Sequence, residues 1–227
     1  MPTRYPNGVT TAAKNTTLGE FILQDPTDAH VYFDDFDTYT AADWTVTETS
    51  TSATEALADA DGGILLITNT TTENDQVAMQ KVGESFLLES GKKTWFKARL
   101  ATSEATQTDL ICGLCITDTS LVAGMSDGVY FFSADGSTDI DFFVEQDSTA
   151  TEVSAVGTLA DDTYVKLGFY YNGVDAIEVF VDDVKKGTAA VTNIPDDEEL
   201  TVSFVHQTGS AASATMSIDY VFAAKER

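Results

Sequence analysis

The sequence predicts an all-β fold, a sandwich or barrel of short strands, and three observations carry that expectation. Apolar side chains recur with a period of two: in Lys93 to Ala101, Phe96, Ala98 and Leu100 share one face while Trp95, Lys97 and Arg99 share the other. Turn signals separate such runs, at Asp61-Gly62-Gly63, Ser90-Gly91, Asp127-Gly128, Asp135-Gly136, Asn172-Gly173, Lys186-Gly187 and Pro195-Asp196. No stretch of about a dozen residues keeps a 3.6-residue period, which argues against βαβ units. The absence of an exact internal repeat also disfavours a solenoid or propeller.

Taken in order, residues 1 to about 30 read as an N-terminal arm. Pro6, Asn7-Gly8 and many Thr residues interrupt any sustained period, and the segment carries Arg4 and Lys14 with few acids. The body, residues 31–227, is expected to be one domain. Strands are expected at Ile64 to Thr68, Lys93 to Ala101, Leu110 to Ile116, Val129 to Ser133, Ile140 to Glu145, Tyr164 to Tyr171, Ile177 to Val181, Leu200 to Gln207 and Met216 to Phe222. Asn172-Gly173 suits the positive φ angles of a type I′ hairpin turn, although Tyr171 and Val174 leave the loop length open. The two strands of that hairpin offer Val165, Leu167 and Phe169, and Ile177, Val179 and Val181, as inward rows. Asp182-Asp183-Val184 then turns the chain into a further short strand. Cys112 and Cys115 fall on opposite faces of an extended strand, so buried free thiols are expected in place of a disulfide, and a lone Cys-x-x-Cys is a weak zinc signal.

An apolar fraction of 43% with 13 Phe and 8 Tyr is enough to fill a core. Twelve Lys and Arg against 37 Asp and Glu give a formal net charge of −25, which repels phosphate backbones and anionic lipid and excludes nucleic acid as the expected partner. Met1-Pro2-Thr3-Arg4 leads into no apolar signal segment, and no run approaches the length of a membrane span. A soluble product made in the cytosol is expected.

The segments F-D-D-F-D-T-Y (Phe33 to Tyr39), D-W-T-V (Asp43 to Val46), K-T-W-F-K-A-R-L (Lys93 to Leu100), Y-V-K-L-G-F-Y-Y-N-G-V-D-A-I-E-V-F-V-D-D (Tyr164 to Asp183) and M-S-I-D-Y-V-F-A (Met216 to Ala223) together resemble the concanavalin A-like/laminin G-like jelly rolls. That resemblance, over about residues 30 to 227, implies a two-sheet antiparallel jelly-roll sandwich. The N-terminal M-P-T-R-Y-P-N-G-V-T, the D-P-T-D-A-H-V-Y-F-D-D-F-D-T-Y entry and the K-E-R end resemble virion structural proteins of tailed bacteriophages, marine ones especially. This second resemblance implies a non-enzymatic capsid decoration (cement) protein, without cofactors, on the outside of a phage head. Its implied partner is the major capsid protein, and its implied assembly a homotrimer.

Arg4, Tyr5, Pro6, Asn7 and Gly8 combine a cation, an aromatic ring and a turn-forming triplet outside the core, which suits a capsid-docking arm. Among the aromatics, Trp44, Trp95, Tyr130, Tyr170 and Tyr171 are candidates for sugar contact, most of them expected in the core. Only Trp95, which shares its parity with Lys97 and Arg99, has a pattern reason to face outward; Trp95 and Tyr170 are the candidate glycan or subunit contacts. A carbohydrate-binding module is therefore the alternative to capsid decoration. Asp139, Asp141 and Glu145 lie on one strand face, but their spacing departs from the Glu-x-Asp-x-(x)-Glu pattern that laminarinase-type glycosidases resemble. Solvent-facing acids opposite Ile140, Phe142 and Val144 are the expectation. His30 and His206 have no matched nucleophile, and Asp59-Ala60-Asp61-Gly62-Gly63 lacks the closing acids of an EF-hand loop. No catalytic residue and no metal ligand is assigned.

Overall fold

The computed structural model describes residues 28–60 and 62–227. The docking residues Arg4, Tyr5, Pro6, Asn7 and Gly8 and the turn residue Asp61 lie outside them. Two antiparallel sheets face each other. The first runs in the order β13 (Val184–Ala190), β12 (Ala176–Val181), β11 (Val165–Tyr171), β6 (Thr94–Thr102), β15 (Thr215–Glu226), β4 (Ile64–Thr68) and β3 (Thr54–Ala58), with β1 (Ala29–Asp34) paired to the C-terminal half of β15. The second runs β10 (Thr149–Thr158), β9 (Asp139–Gln146), β8 (Gly128–Ser133), β7 (Thr108–Cys115), β14 (Thr201–Thr208), β5 (Gln76–Lys81) and β2 (Trp44–Glu48). A single α-helical turn, α1 (Leu121–Gly124), and a 3-10 turn at Ala41–Asp43 are the helices among the described residues. The all-β class expected from period-two alternation and the two-sheet antiparallel sandwich implied by the resemblance are the observed architecture.

Each strand's apolar parity supplies the space between the sheets. Phe96, Ala98 and Leu100 of β6, Val165, Leu167 and Phe169 of β11, and Ile177, Val179 and Val181 of β12 are buried as expected. Phe96 and Phe169, opposite each other in register, stack at 5.4 Å. Phe142 of the second sheet packs 5.6 Å from Phe169 and 5.0 Å from Phe131, so an aromatic chain ties the two layers together. Burying each ring contributes about 1.5–3 kcal/mol. Cys112 faces this core, Cys115 faces the other side of β7, and both are free and buried.

Turn chemistry departs from the expectation at Asn172-Gly173. Residues 172–175 form a four-residue loop in which Asn172 Oδ1 accepts the N–H groups of Val174, Asp175 and Ala176 at 2.8, 3.0 and 3.2 Å, and only Gly173 takes a positive φ (77°). Asn172 is therefore a side-chain cap, not the first αL residue of a type I′ turn. The two-residue αL pairs sit instead at Asp147-Ser148, between β9 and β10, and at Asp182-Asp183, between β12 and β13.

The outer faces of the two sheets differ. On the seven-stranded sheet, Ala78, Ile111, Cys115, Tyr130 and Val205 form a second apolar cluster closed over by Leu121 and Met125 from the segment that carries α1. Among the described residues no segment covers the outer face of the eight-stranded sheet, and this face holds a groove.

Candidate functional site

Register dictates which outward side chains meet on the eight-stranded sheet. Phe222 of β15 is opposite Lys97 of β6, Lys97 opposite Gly168 of β11, and Gly168 opposite Phe180 of β12. Two residues along, Trp95 is opposite Tyr170. The result is a groove of about 420 Å³ that crosses the strands, with Phe222 and Phe180 toward its ends. Trp95 and Tyr170 stack at 5.5 Å with 28° between their planes and form one wall. Gly168 lies between Tyr170 and Lys166 on β11, and the missing side chain leaves the floor open; a Cβ there would stand 3.1 Å from the Phe96 carbonyl oxygen.

The opposite wall is ionic. Asp182 and Asp183 adopt φ of 52° and 63°, so β12 folds back into β13 in two residues, and Asp182 Oδ1 accepts the Lys166 N–H at 3.0 Å while its own N–H donates to the Lys166 carbonyl at 2.8 Å. This clamp brings the Asp183 carboxylate to two ammonium groups at once, Lys166 at 2.8 Å and Lys97. Hydrogen bonds from Lys166 and then Lys97 hold the Asp183 carboxyl below the usual carboxylate range, and the bond to Asp183 raises Lys166 above the usual ammonium range. Each of these two shifts favours the charged form. Such exposed pairs contribute little to folding, but they place charge along the groove. Arg99, next on β6, is already engaged by Asp219 and lies 4.1 Å over the Tyr164 ring.

The structure thus brings together Trp95 and Tyr170, the two sequence-level candidates, and adds Lys97, Lys166, Gly168, Phe180, Asp183 and Phe222. Their signal was available: Phe180 and Phe222 are aromatic residues on the polar parity of otherwise alternating strands. Convergence of Asp183 on both lysines depends on the αL turn and was not legible. The other aromatic candidates are internal. Trp44 packs between Phe36 and Phe204, Tyr171 lines the core, and Tyr130 lies in the cluster beneath α1.

Asp139, Asp141 and Glu145 occupy the outer face of β9, opposite the buried Ile140, Phe142 and Val144, as the alternation predicts. Asp141 accepts the Ala155 N–H at 2.7 Å beside the bulge in β10, and Glu145 accepts the Tyr130 hydroxyl at 2.7 Å. Burial raises the Glu145 carboxyl above its ordinary range. His30 packs against Phe86 with ring centroids 5.2 Å apart and planes tilted by 56°, and His206 is wholly buried in the core wall.

No protein-family model matches this chain, and no curated protein matches its sequence. Solved structures do. A protein of unknown function from Shewanella oneidensis MR-1 superposes with a TM-score of 0.64 at 16% identity, over 96% of this chain and 95% of that one. An endo-1,3-beta-glucanase from Streptomyces sioyaensis gives 0.62 at 14% identity, over 89% and 98%. The metal-free carbohydrate recognition domain of Emp46p gives 0.56 at 10% identity, over 81% and 88%. The fold is the concanavalin A-like jelly roll. Likeness at this level of identity establishes architecture alone. Because one of these neighbours is a glucanase, the expectation of a non-enzymatic chain draws no support from them. None of the three is described as a virion component, and the docking arm lies outside the described residues, so capsid decoration rests on sequence resemblance alone.

Proposed function

We propose that the protein is a carbohydrate-binding module whose ligand lies in the groove of the eight-stranded sheet. The observation that carries this reading is the pairing of a stacked Trp95–Tyr170 wall with the ionic wall of Lys97, Lys166 and Asp183. A pyranose ring has an apolar C–H face and a hydroxyl rim. The aromatic wall suits the first, and charged hydrogen-bonding groups suit the second. The glucanase and the carbohydrate recognition domain that share the fold support the same ligand class.

The test is a glycan array followed by calorimetric titration of the best ligand against the wild type and Trp95→Ala. Trp95 is only partly buried, so its truncation is expected to leave the β circular-dichroism spectrum unchanged. Affinity is expected to fall by roughly tenfold or more, a loss of about 1.4 kcal/mol. Wild-type affinity in Trp95→Ala, or no glycan bound at all, would refute the reading.

A further inference from the structure

We propose that the glycan bound in this groove is acidic, a uronate-bearing chain whose carboxylate is held by Lys97 and Lys166. The inference rests on the groove being a glycan site and deepens that reading to a substrate class.

The first ground is charge balance within the groove. Three other cations of this sheet have individual partners, Arg99 with Asp219, Lys185 with Glu178 and Lys93 with Glu226. Lys97 and Lys166 instead share one carboxylate, that of Asp183. Two ammonium groups and one carboxylate leave one positive charge on the ionic wall, and each ammonium carries three N–H donors. One ligand carboxylate would neutralise the trio and take up donors that Asp183 does not use. A neutral sugar would leave the charge standing in a groove walled by aromatic rings, where desolvation makes an unbalanced charge unfavourable.

The second ground is where the cations lie. Two of the twelve Lys and Arg residues, Arg4 and Lys14, fall outside the described residues. Of the rest, all but Lys81 lie on β6, β11, β13 or β15 or within two residues of their ends. Among the described residues the outer face of the seven-stranded sheet carries no cation, while Asp109, Asp139, Asp141 and Glu145 lie on it. In a chain of net charge −25, the described cations are thus concentrated on the sheet that holds the groove, where an anionic polymer meets the least repulsion among the described residues.

The experiment titrates the full chain with hexasaccharides of glucuronate, galacturonate and mannuronate, and with neutral β-glucan hexasaccharides, at low and at moderate salt. At least one uronate ligand is expected to bind on the order of tenfold more tightly than any neutral one, with the advantage shrinking as salt rises. Lys166→Gln is expected to erase that advantage. Asp183→Asn, which keeps a residue tolerant of the αL turn while removing the competing carboxylate, is expected to enlarge it. This gain is a readout that loss of structure would not mimic. Neutral glycans bound as tightly as acidic ones in a Trp95-dependent manner would overturn the acidic inference and leave the module reading intact. An acidic preference unaltered in both Lys166→Gln and Asp183→Asn would also overturn it. Binding of neither class would overturn both.

Discussion

His206 shows how one residue can set an acid limit on stability. Asn69 donates its amide hydrogens to the carbonyls of Asp75 (2.6 Å) and His206 (3.0 Å), so its Oδ1 is left to accept from His206 Nδ1–H at 2.6 Å. Nε2 then carries the lone pair that accepts the Thr102 hydroxyl at 3.1 Å. The ring is neutral, and burial lowers its pKa from 6.5 to about 3. Between those values the unfolded chain binds a proton that the folded chain does not. The contribution is therefore complete above pH 6.5 and is lost as pH falls toward 3, at about 1.4 kcal/mol per pH unit. Urea titrations from pH 7 to 4 are expected to show this slope, and His206→Gln is expected to reduce it; an unchanged slope in the variant would assign the acid limb to the carboxylates. At the same scale, Trp95 was readable as outward-facing because Lys97 and Arg99 share its parity. His206 was not readable as a core residue, since its burial depends on Asn69 arriving from 137 positions away.

The elements most visible in the sequence are those buried on one face and wet on the other. β4 and β12 alternate in burial without a break, β11 does so apart from Gly168, and all three lie where the sequence places them. β5 (Q-V-A-M-Q-K) was missed because both its faces are covered, one by the core and one by the cluster beneath α1, so no alternation survives. β10 was missed for the opposite reason: it is an edge strand, largely exposed, with a register shift between Val153 and Gly157. β1 extends the candidate site. Phe33, 59% exposed, is opposite Phe222, so a single transverse row runs Phe33, Phe222, Lys97, Gly168, Phe180 from β1 to β12. Four strand spacings amount to about 19 Å, room for several sugar units. Phe33→Ala is expected to weaken binding of a hexasaccharide several-fold and leave a disaccharide unaffected, as read by calorimetry. No loss for either length would confine the site to the groove.

At the scale of the whole molecule, charge and topology act together. A net charge of −25 on 227 residues makes self-repulsion a destabilising term that salt screens. The melting temperature is expected to rise by several degrees between about 10 and 200 mM sodium chloride. A fall would mean that the ion pairs of the eight-stranded sheet outweigh the repulsion. The sequence by itself determined the all-β class, the jelly-roll resemblance, the inward rows of most strands and the outward placement of Trp95, because period-two alternation and turn residues are local properties of the chain. Only the tertiary structure decided which outer face the described residues leave uncovered, which lysines share a carboxylate and which aromatic residues lie in one row. Those relations depend on strand order and register, which bring β1, β15, β6, β11 and β12 side by side although they span residues 29 to 226. No local pattern encodes that adjacency, since each strand's alternation is satisfied by any neighbour that buries the same face.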